Sequence, residues 1–324
     1  MSIIASDLKW YRSAVVTNTV ANGGRMSNSQ IVSNVRNNLF PDVKEAERAA
    51  GITRYRKLFL KVANADSLTL YNGIIYMGSI TPAEDYVSFF AGTQTDTQND
   101  ITSPREYGAG FLSSVLEAGT SVFDVMLESD SLVVFYNGDT ICISDGTNEE
   151  YHHNVSISKT GDVVTITLDA GDQISNTFDI GETVSSCIDC GDVKGSFDNW
   201  DISSASGVFD IGEYPVIVNS IGGVFDTWTL SFTSSSAFDC VGSVVGSVTS
   251  GNTSTSFSPL NSNFSDPYFT LNNLGFGGTW STGDTIIFRT IPAAIPVWFK
   301  QVVPENASSY SGNSFSFKAA GESA

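Results

Sequence analysis

Five short apolar runs between residues 122 and 168 constrain the fold of this chain more than any other feature. They are Val122–Leu127, Leu132–Tyr136, Asp139–Ser144, Tyr151–Ser158 and Val163–Leu168. The runs recur about every ten residues and are separated by turn sequences such as Asn137-Gly138-Asp139, a pattern typical of a small antiparallel barrel or sandwich. We therefore predict a small β-barrel or β-sandwich domain over residues 111–191.

The rest of the chain also has the composition of a β protein. Its 324 residues are enough for two or three domains. Ser, Thr, Gly, Asn, Val and Phe are abundant, which favours short strands joined by turns. We predict a mainly β fold of several small β-sandwich or β-barrel domains, in which an N-terminal α+β assembly domain (1–110) and a C-terminal β-sandwich domain (192–324) flank the barrel.

The C-terminal domain is expected to end in an extended strap. The run from Ile291 to Lys300 contains Pro292 and Pro296, which have no backbone N–H to give to a neighbouring strand. We predict that it lies along a sheet edge or packs as a strap, anchored by Trp298 and Phe299.

Helical periodicity is confined to a short segment near the N-terminus. Ile31, Val35 and Leu39 would form one apolar stripe on a helix that ends at Pro41. A second short helix is predicted from Val43 to Ala50. The expectation is a two-helix insertion ahead of the next strand.

That next strand, Thr53 to Val62, is unusually basic. The formal charge of −19 is unevenly spread, because residues 1–61 carry ten of the 16 Lys and Arg residues but only four of the 35 acidic ones. A basic strand fits two interpretations, a protected sheet edge or a contact with the acidic flank of a second copy. An acidic body would repel a phosphate backbone, so nucleic acid is not an expected partner.

We take the subunit contact as a hypothesis and assign residues to it. The candidate interface residues are Arg54, Tyr55, Arg56, Lys57, Lys61, Trp298 and Phe299.

Targeting signals are not evident. No stretch approaches the roughly 20 apolar residues that span a bilayer, and the first residues lack the pattern of a secretory signal. We expect no membrane span, and a protein made in a cytosol and left there until release.

Metal and redox chemistry have only weak signals. Cys187 and Cys190 have the spacing of buried thiols, of a disulfide or of half a zinc site, and these alternatives stay open. The remaining zinc ligands would have to be distant, such as Cys142, Cys240 or His152 and His153. The polar loop from Gly92 to Asp100 lacks the ligand spacing of a calcium-binding EF-hand, so a solvated loop is favoured. No cofactor or metal is predicted.

The usual catalytic motifs are missing as well. The sequence contains no nucleophile elbow, zinc-protease motif, phosphate-binding loop or dinucleotide fingerprint. Its only histidines, His152 and His153, are adjacent and would point to opposite faces of one strand. Two carboxylates are enough for a glycosidase, but no pair among the acidic residues stands out. We predict that the chain is not an enzyme and assign no catalytic residues.

Several segments resemble virion structural proteins of tailed bacteriophages. They are Asn37 to Lys57, Gly92 to Thr97, Gly275 to Thr285, Pro292 to Pro304 and the closing Gly321-Glu-Ser-Ala324. The resemblance implies a non-catalytic protein that assembles as a symmetric ring or trimer in a tail, baseplate or neck. It carries over no functional residue.

We therefore expect a structural component of a phage tail or baseplate, assembled in the host cytoplasm and located in the virion, with other copies and other virion proteins as partners. One alternative is a tail module that binds a host receptor or glycan, with the Tyr- and Trp-rich half (192–324) as its reader. A neck connector or head decoration protein is another alternative, and a polysaccharide depolymerase ranks below these.

Overall fold

The computed structural model describes residues 2–323 and is mainly β, as predicted. The only α-helix among these residues is α1 (Glu45–Ala50), and three 3-10 helices cover Ala5–Asp7, Gln98–Asp100 and Asn273–Gly275. None of the described helices has the length and apolar character that crossing a membrane requires.

The strands, in chain order, are β1 (Leu8–Val15), β2 (Gly23–Gln30), β3 (Ile52–Val62), β4 (Leu70–Ser79), β5 (Tyr86–Ala91), β6 (Ala109–Leu112), β7 (Val122–Met126), β8 (Asp139–Ser144), β9 (Glu149–Thr160), β10 (Val163–Thr167), β11 (Thr183–Ser186), β12 (Ile188–Val193), β13 (Ser196–Ser203), β14 (Gly207–Phe209), β15 (Ile217–Val218), β16 (Asp226–Phe232), β17 (Ala237–Gly242), β18 (Gly246–Ser247), β19 (Gly251–Asn252), β20 (Leu260–Asn261), β21 (Asp266–Pro267), β22 (Phe269–Thr270), β23 (Phe276–Gly278), β24 (Thr285–Ile291), β25 (Ala294–Val303) and β26 (Ser316–Ser323).

A five-stranded antiparallel sheet joins the two ends of the chain in the order β2-β1-β3-β25-β5. We call it the central sheet. A three-stranded sheet, β12-β4-β26, shares an apolar core with it, and the two sheets form a sandwich. Phe317 of β26 packs against Trp10 and Phe299 of the central sheet, with ring centroids 4.8 and 4.6 Å away.

The five apolar runs predicted a small barrel or sandwich, and the structure has a barrel. Six strands close it in the order β10-β7-β6-β11-β8-β9. The run Leu132–Tyr136 is not one of them, although Leu132 and Val134 are buried in the barrel core. β6 and β11 complete the barrel instead, and they pair with each other through Phe111 and Thr183.

The connection from β10 to β11 crosses the barrel. β10 and β11 lie three places apart in the closed order, and the chain between them places Ile174 and Phe178 in the barrel core.

The third large sheet lies between residues 196 and 291. Its order is β13-β24-β16-β17-β18, and β19 also pairs with β17. Its core is mostly aromatic: Trp228 is fully buried, and Phe232 stacks on Trp280 with centroids 4.1 Å apart. Three short two-stranded sheets pair β14 with β23, β15 with β22, and β20 with β21, and an isolated bridge joins Phe257 and Leu271.

The predicted two-helix insertion is wrong. α1 forms within the second predicted segment, but residues 31–40 are irregular, and Asn34 and Asn37 have positive φ angles of 63° and 57°. These angles interrupt a right-handed helix. Val35 is 54% exposed, so the stripe it was expected to share with Ile31 and Leu39 does not face a common core.

The expected C-terminal strap is also wrong. β25 is an interior strand, paired over its whole length with β3 and over much of it with β5. The carbonyl of Pro296 accepts a hydrogen bond from Gly92 N (3.0 Å), and Gly92 follows the last residue of β5, Ala91. In an antiparallel pair the N–H and C=O of one residue point to the same neighbour. The N–H that Pro296 lacks would therefore point beyond the end of β5, and its absence breaks no bond within that strand. The division at 110 and 191 stays a prediction, but β25 and β26 pair with strands from the first hundred residues.

Candidate functional site

The basic strand β3 lies in the middle of the central sheet, between β1 and β25. It is therefore not the exposed sheet edge that its charge suggested. Side chains alternate between two faces, with Leu58 and Leu60 in the sandwich core and Lys57 and Lys61 on the opposite face. Both lysines are almost completely buried, at 1% and 0% exposure.

The two arginines of β3 bind segments that run past the end of the sheet. Arg54 forms an ion pair with Glu47 of α1 and donates to Pro41 O (2.8 Å). Arg56 donates to Thr17 O (3.0 Å) and Asn18 Oδ1 (2.7 Å) in the turn between β1 and β2. Burial lowers the pKa of Arg56, so these acceptors compensate for lost hydration.

Lys57 holds the loop from Gly92 to Asp100 against the sheet. Its Nζ lies 2.6 Å from Asp96 Oδ1 and 2.7 Å from Gly24 O. Trp298 Nε1 donates to the other oxygen of Asp96 at 2.7 Å. Desolvation lowers the pKa of Lys57, and the Asp96 carboxylate opposes that shift. The Asp96 carboxylate is therefore a structural partner of the basic strand.

Lys61 is the most isolated of the four cations. Its Nζ donates to Ile221 O and lies 4.0 Å from the centroid of the Phe264 ring. It forms no ion pair within the described chain, and burial lowers its pKa to about 7. Lys61 therefore joins the central sheet to a loop of the third sheet region without an ion pair, although the charge of Asp266 partly opposes the lowering of its pKa.

Six of the seven candidate interface residues are buried within this one chain. Tyr55 is half-buried, and the rest, including Trp298 and Phe299, are at most 6% exposed. The structure brings Lys57 and Trp298 together around Asp96, with Tyr55 nearby through Phe90, which stacks on Trp298. Their role in a subunit contact stays a prediction, but each side chain already has partners inside the protomer.

Because β3 is buried, its four positive charges do not contribute a basic patch to the protein surface. Among residues 2–323 the buried cations Arg54, Arg56, Lys57 and Lys61 are matched in number by four buried acids. Those acids are Asp85, Asp139, Glu150 and Asp226. The formal charge of −19 is therefore carried entirely by residues that are not buried.

The cysteines are free thiols. Cys142, Cys187 and Cys240 are buried and Cys190 is partly buried. Burial raises the pKa of Cys142, Cys190 and Cys240 to about 12 and raises that of Cys187 as well, which makes each a poor nucleophile at neutral pH. No cluster of three or more metal-ligating side chains occurs in the part of the chain that the structure describes.

The two histidines occupy different environments, as their adjacency predicts. His152 is buried, its Nδ1 lies 2.8 Å from Asp172 Oδ2, and its Nε2 lies 3.3 Å from Glu150 Oε2. His153 is exposed, and its Nδ1 pairs with Thr140 Oγ1 at 2.9 Å. Glu150 also accepts from the backbone of residues 175 and 176, so this cluster holds the crossing segment on the barrel.

A polar network that sequence reasoning missed links the barrel to β4 and β26. Glu149 accepts from Tyr76 Oη (2.8 Å), Tyr151 Oη (2.9 Å) and Lys318 Nζ (2.6 Å). Tyr151 Oη also lies 3.0 Å from Tyr76 Oη, and its single proton can go to only one of these two acceptors. These residues are up to 242 positions apart, and no local pattern marks them as neighbours.

Two surface depressions lie on the described residues 2–323, and neither is lined by a convergent set of reactive groups. One depression of about 300 Å³ is lined by residues 112–124 of the barrel. Another of about 480 Å³ lies beside the Gly92 to Asp100 loop, where Asp96 is already bound by Lys57 and Trp298.

No protein family, no curated protein and no solved structure matched this chain in our comparisons.

Proposed function

We propose that this chain is a structural component of a tailed-bacteriophage virion, in the tail or baseplate, that works by assembly into a ring or trimer. The observation that carries the proposal is that the charged groups inside the protein bind its own chain. Arg54, Arg56, Lys57 and Lys61 each attach a separate loop or helix to one strand. Contacts of this kind between distant segments favour a rigid structural protein. The assignment to a phage particle rests on the resemblance to virion structural proteins.

The alternative of a glycan reader receives less support from the aromatic residues. Trp228, Trp280 and Trp298 are at most 3% exposed, and Trp200 packs among Phe197, Phe209 and Phe288. Aromatic residues that stack on sugars need an exposed ring face.

Because the basic strand faces the interior, our proposal places the contact between copies elsewhere. The turn between β17 and β18 presents Val241, Val244 and Val245 with 43%, 61% and 37% exposure. Buried Asp226 fixes this turn by accepting from Val244 N (3.1 Å) and Val245 N (2.9 Å). A rigid apolar tip loses little conformational entropy on binding.

Native mass spectrometry and negative-stain microscopy of the full chain test the assembly. We expect a ring or trimer that strengthens as salt is raised, because each copy carries −19 and screening weakens the repulsion between copies. V244D should weaken assembly, whereas V208D, at a similarly exposed valine in the pairing of β14 with β23, should not. A chain that stays monomeric at every salt and protein concentration would count against self-assembly.

Immunogold labelling tests the location. An antibody against the chain should label the tail or baseplate of particles released from cells that carry this gene. Purified particles that contain no such chain would contradict the proposal.

A further inference from the structure

The junction between the barrel and the central sheet contains a carboxyl group with no cationic partner. Glu128 follows β7 and is half-buried, and no Lys, Arg or His of the described residues forms an ion pair with it. Across the junction, the loop between β4 and β5 supplies Thr81 and Asp85, both of which are buried.

The hydrogen bonds at this junction require a proton on Glu128. Thr81 Oγ1 lies within hydrogen-bonding distance of Asp85 O and lies 3.1 Å from Glu128 Oε1. A backbone carbonyl only accepts, so both contacts are hydrogen bonds at the same time only if the single hydroxyl proton of Thr81 goes to Asp85 O. The remaining pairing is complete when Glu128 is neutral and donates its own proton to Thr81 Oγ1.

The neighbouring carboxyl group is already occupied. Asp85 accepts from Gln301 Nε2 at 2.6 Å through one oxygen and from Asn313 Nδ2 at 2.7 Å through the other. Asp85 therefore ties β25 and the segment between β25 and β26 to this loop, and Glu84 adds a bond from Ser308 N (2.9 Å). Glu128 is the carboxyl that remains to hold the proton.

The electrostatics agree with this assignment. Burial raises the pKa of Glu128 to about 8 and the nearby Asp85 charge adds to the shift, whereas a Thr81 hydroxyl that donated to the carboxylate would lower the pKa. The other charged side chains near this end of β7 are Asp130 on the same segment and Lys159 and Asp162 from the β9–β10 turn. Lys159 Nζ binds the backbone oxygens of residues 130 and 161 instead.

We propose that Glu128 is a proton-dependent latch between the barrel and the central sheet. In its neutral form the carboxyl group binds Thr81 and holds the loop between β4 and β5 against the barrel. Its ionisation places a second anion beside Asp85 and removes the donor to Thr81, so the loop and the segment of residues 304–315 that it holds are released. A raised carboxyl pKa stabilises the closed form fully below the ordinary value of 4.5, and this stabilisation is lost as pH rises through about 8.

Hydrogen exchange of the full chain, corrected for the intrinsic pH dependence of exchange, tests the latch. In the wild type, the opening constant of residues 80–85 and 304–315 should rise by up to about tenfold for each pH unit between the ordinary carboxyl pKa of 4.5 and about 8, and level off above that. E128Q keeps a neutral group that donates and accepts, so its opening should not change over this range. E117Q, at an exposed glutamate of the same barrel, should behave like the wild type. An identical pH response in wild type and E128Q would overturn the proposal.

Infrared spectroscopy of wild-type protein with isotope-labelled glutamate provides a measurement that does not depend on a variant. The carboxylic-acid band of a neutral glutamate should be present at neutral pH and disappear as pH rises past about 8. A spectrum with only ionised glutamate at neutral pH would rule out the latch. Neither outcome bears on assembly into a virion, so the two proposals can fail separately.

Discussion

The barrel and the central sheet are built in opposite ways. The barrel uses one continuous segment, residues 109–186, and its core is packed mainly from apolar side chains, with Asp139, Glu150 and His152 also buried. The central sheet pairs strands from residues 8–91 with β25, and its middle strand carries four buried cations. Alternation of apolar and polar residues therefore predicts the barrel directly, whereas the same reasoning misplaces the basic strand.

The difference shows that a charged position in a strand need not face water. In the central sheet, ammonium and guanidinium groups replace their hydration with carbonyl and carboxylate oxygens from loops that cover the sheet. Burial of a charge without such partners would cost several kcal/mol. The loops are thus fixed by the strand, and the strand tolerates its charges because of the loops.

The largest expected effect tests whether the cations of β3 are structural. The triple reversal R54E/R56E/K57E should prevent folding, because it buries three anions against carbonyl oxygens and Asp96. Circular dichroism and size-exclusion chromatography would show an unfolded or aggregated chain. R36E/K44E/K194E makes the same change of charge at exposed positions and should fold. A folded triple variant of β3 that fails only in assembly would instead support the subunit-contact hypothesis.

Removal of one partner tests the Lys57 contact. D96A should lower the free energy of unfolding by about 3–5 kcal/mol, because it leaves the buried ammonium and the Trp298 N–H without their acceptor. Urea denaturation measures the change. D42A breaks the exposed pair with Arg36 and should have no measurable effect. Equal losses in the two variants would show that burial of the Lys57 pair is unimportant.

A pH series tests Lys61. Its pKa is about 7 in the folded protein and 10.5 for an ordinary lysine, so between these values the unfolded chain binds the additional proton and stability increases with pH. As pH is raised across that range, the free energy of unfolding of the wild type should increase and that of K61M should not. The difference should reach on the order of a few kcal/mol. K194M, at an exposed lysine, should follow the wild type. A parallel course for K61M would exclude a depressed pKa of Lys61.

The smallest expected effect belongs to the barrel. I143V removes one buried methylene group from an apolar core and should cost about 0.5–1.5 kcal/mol. Thermal or urea unfolding measures it, and V122A, at a 52% exposed position of the same barrel, is the control. If I143V lowered the free energy of unfolding as much as D96A does, the barrel core and the buried Lys57 contact would not differ in their sensitivity to substitution.

The sequence predicts some elements of the fold well because their signal is local. β7, β8, β9 and β10 each fall on an apolar run between Gly and Asn turns. β6 and β11 were missed because a strand of four residues is too short to show clear periodicity. Leu132–Tyr136 was wrongly predicted as a strand because its apolar residues are buried in the barrel core and have the same pattern as a strand. The failed helix at residues 31–39 had a suitable stripe, but the positive φ angles of Asn34 and Asn37 interrupt it.

The candidate site was predictable only in its residue types. Lys57, Asp96 and Trp298 stood out as a basic strand, a polar loop and an aromatic anchor, but their contact joins segments separated by more than 200 residues. Glu128 had no distinguishing sequence context. Its partner Thr81 comes from another strand connection, so burial and proton sharing arise only when the barrel meets the central sheet.

The sequence alone determined that the protein is mainly β, that a small barrel or sandwich forms in its middle, and that one strand is rich in basic residues. Periodicity and turn residues encode these features within ten or so positions. The tertiary structure decided that the basic strand is interior, that β25 is its neighbour and that Glu128 lies against Thr81. Pairing across most of the chain depends on which surfaces bury each other, and hydrogen bonds to distant loops decide whether a charge can leave water.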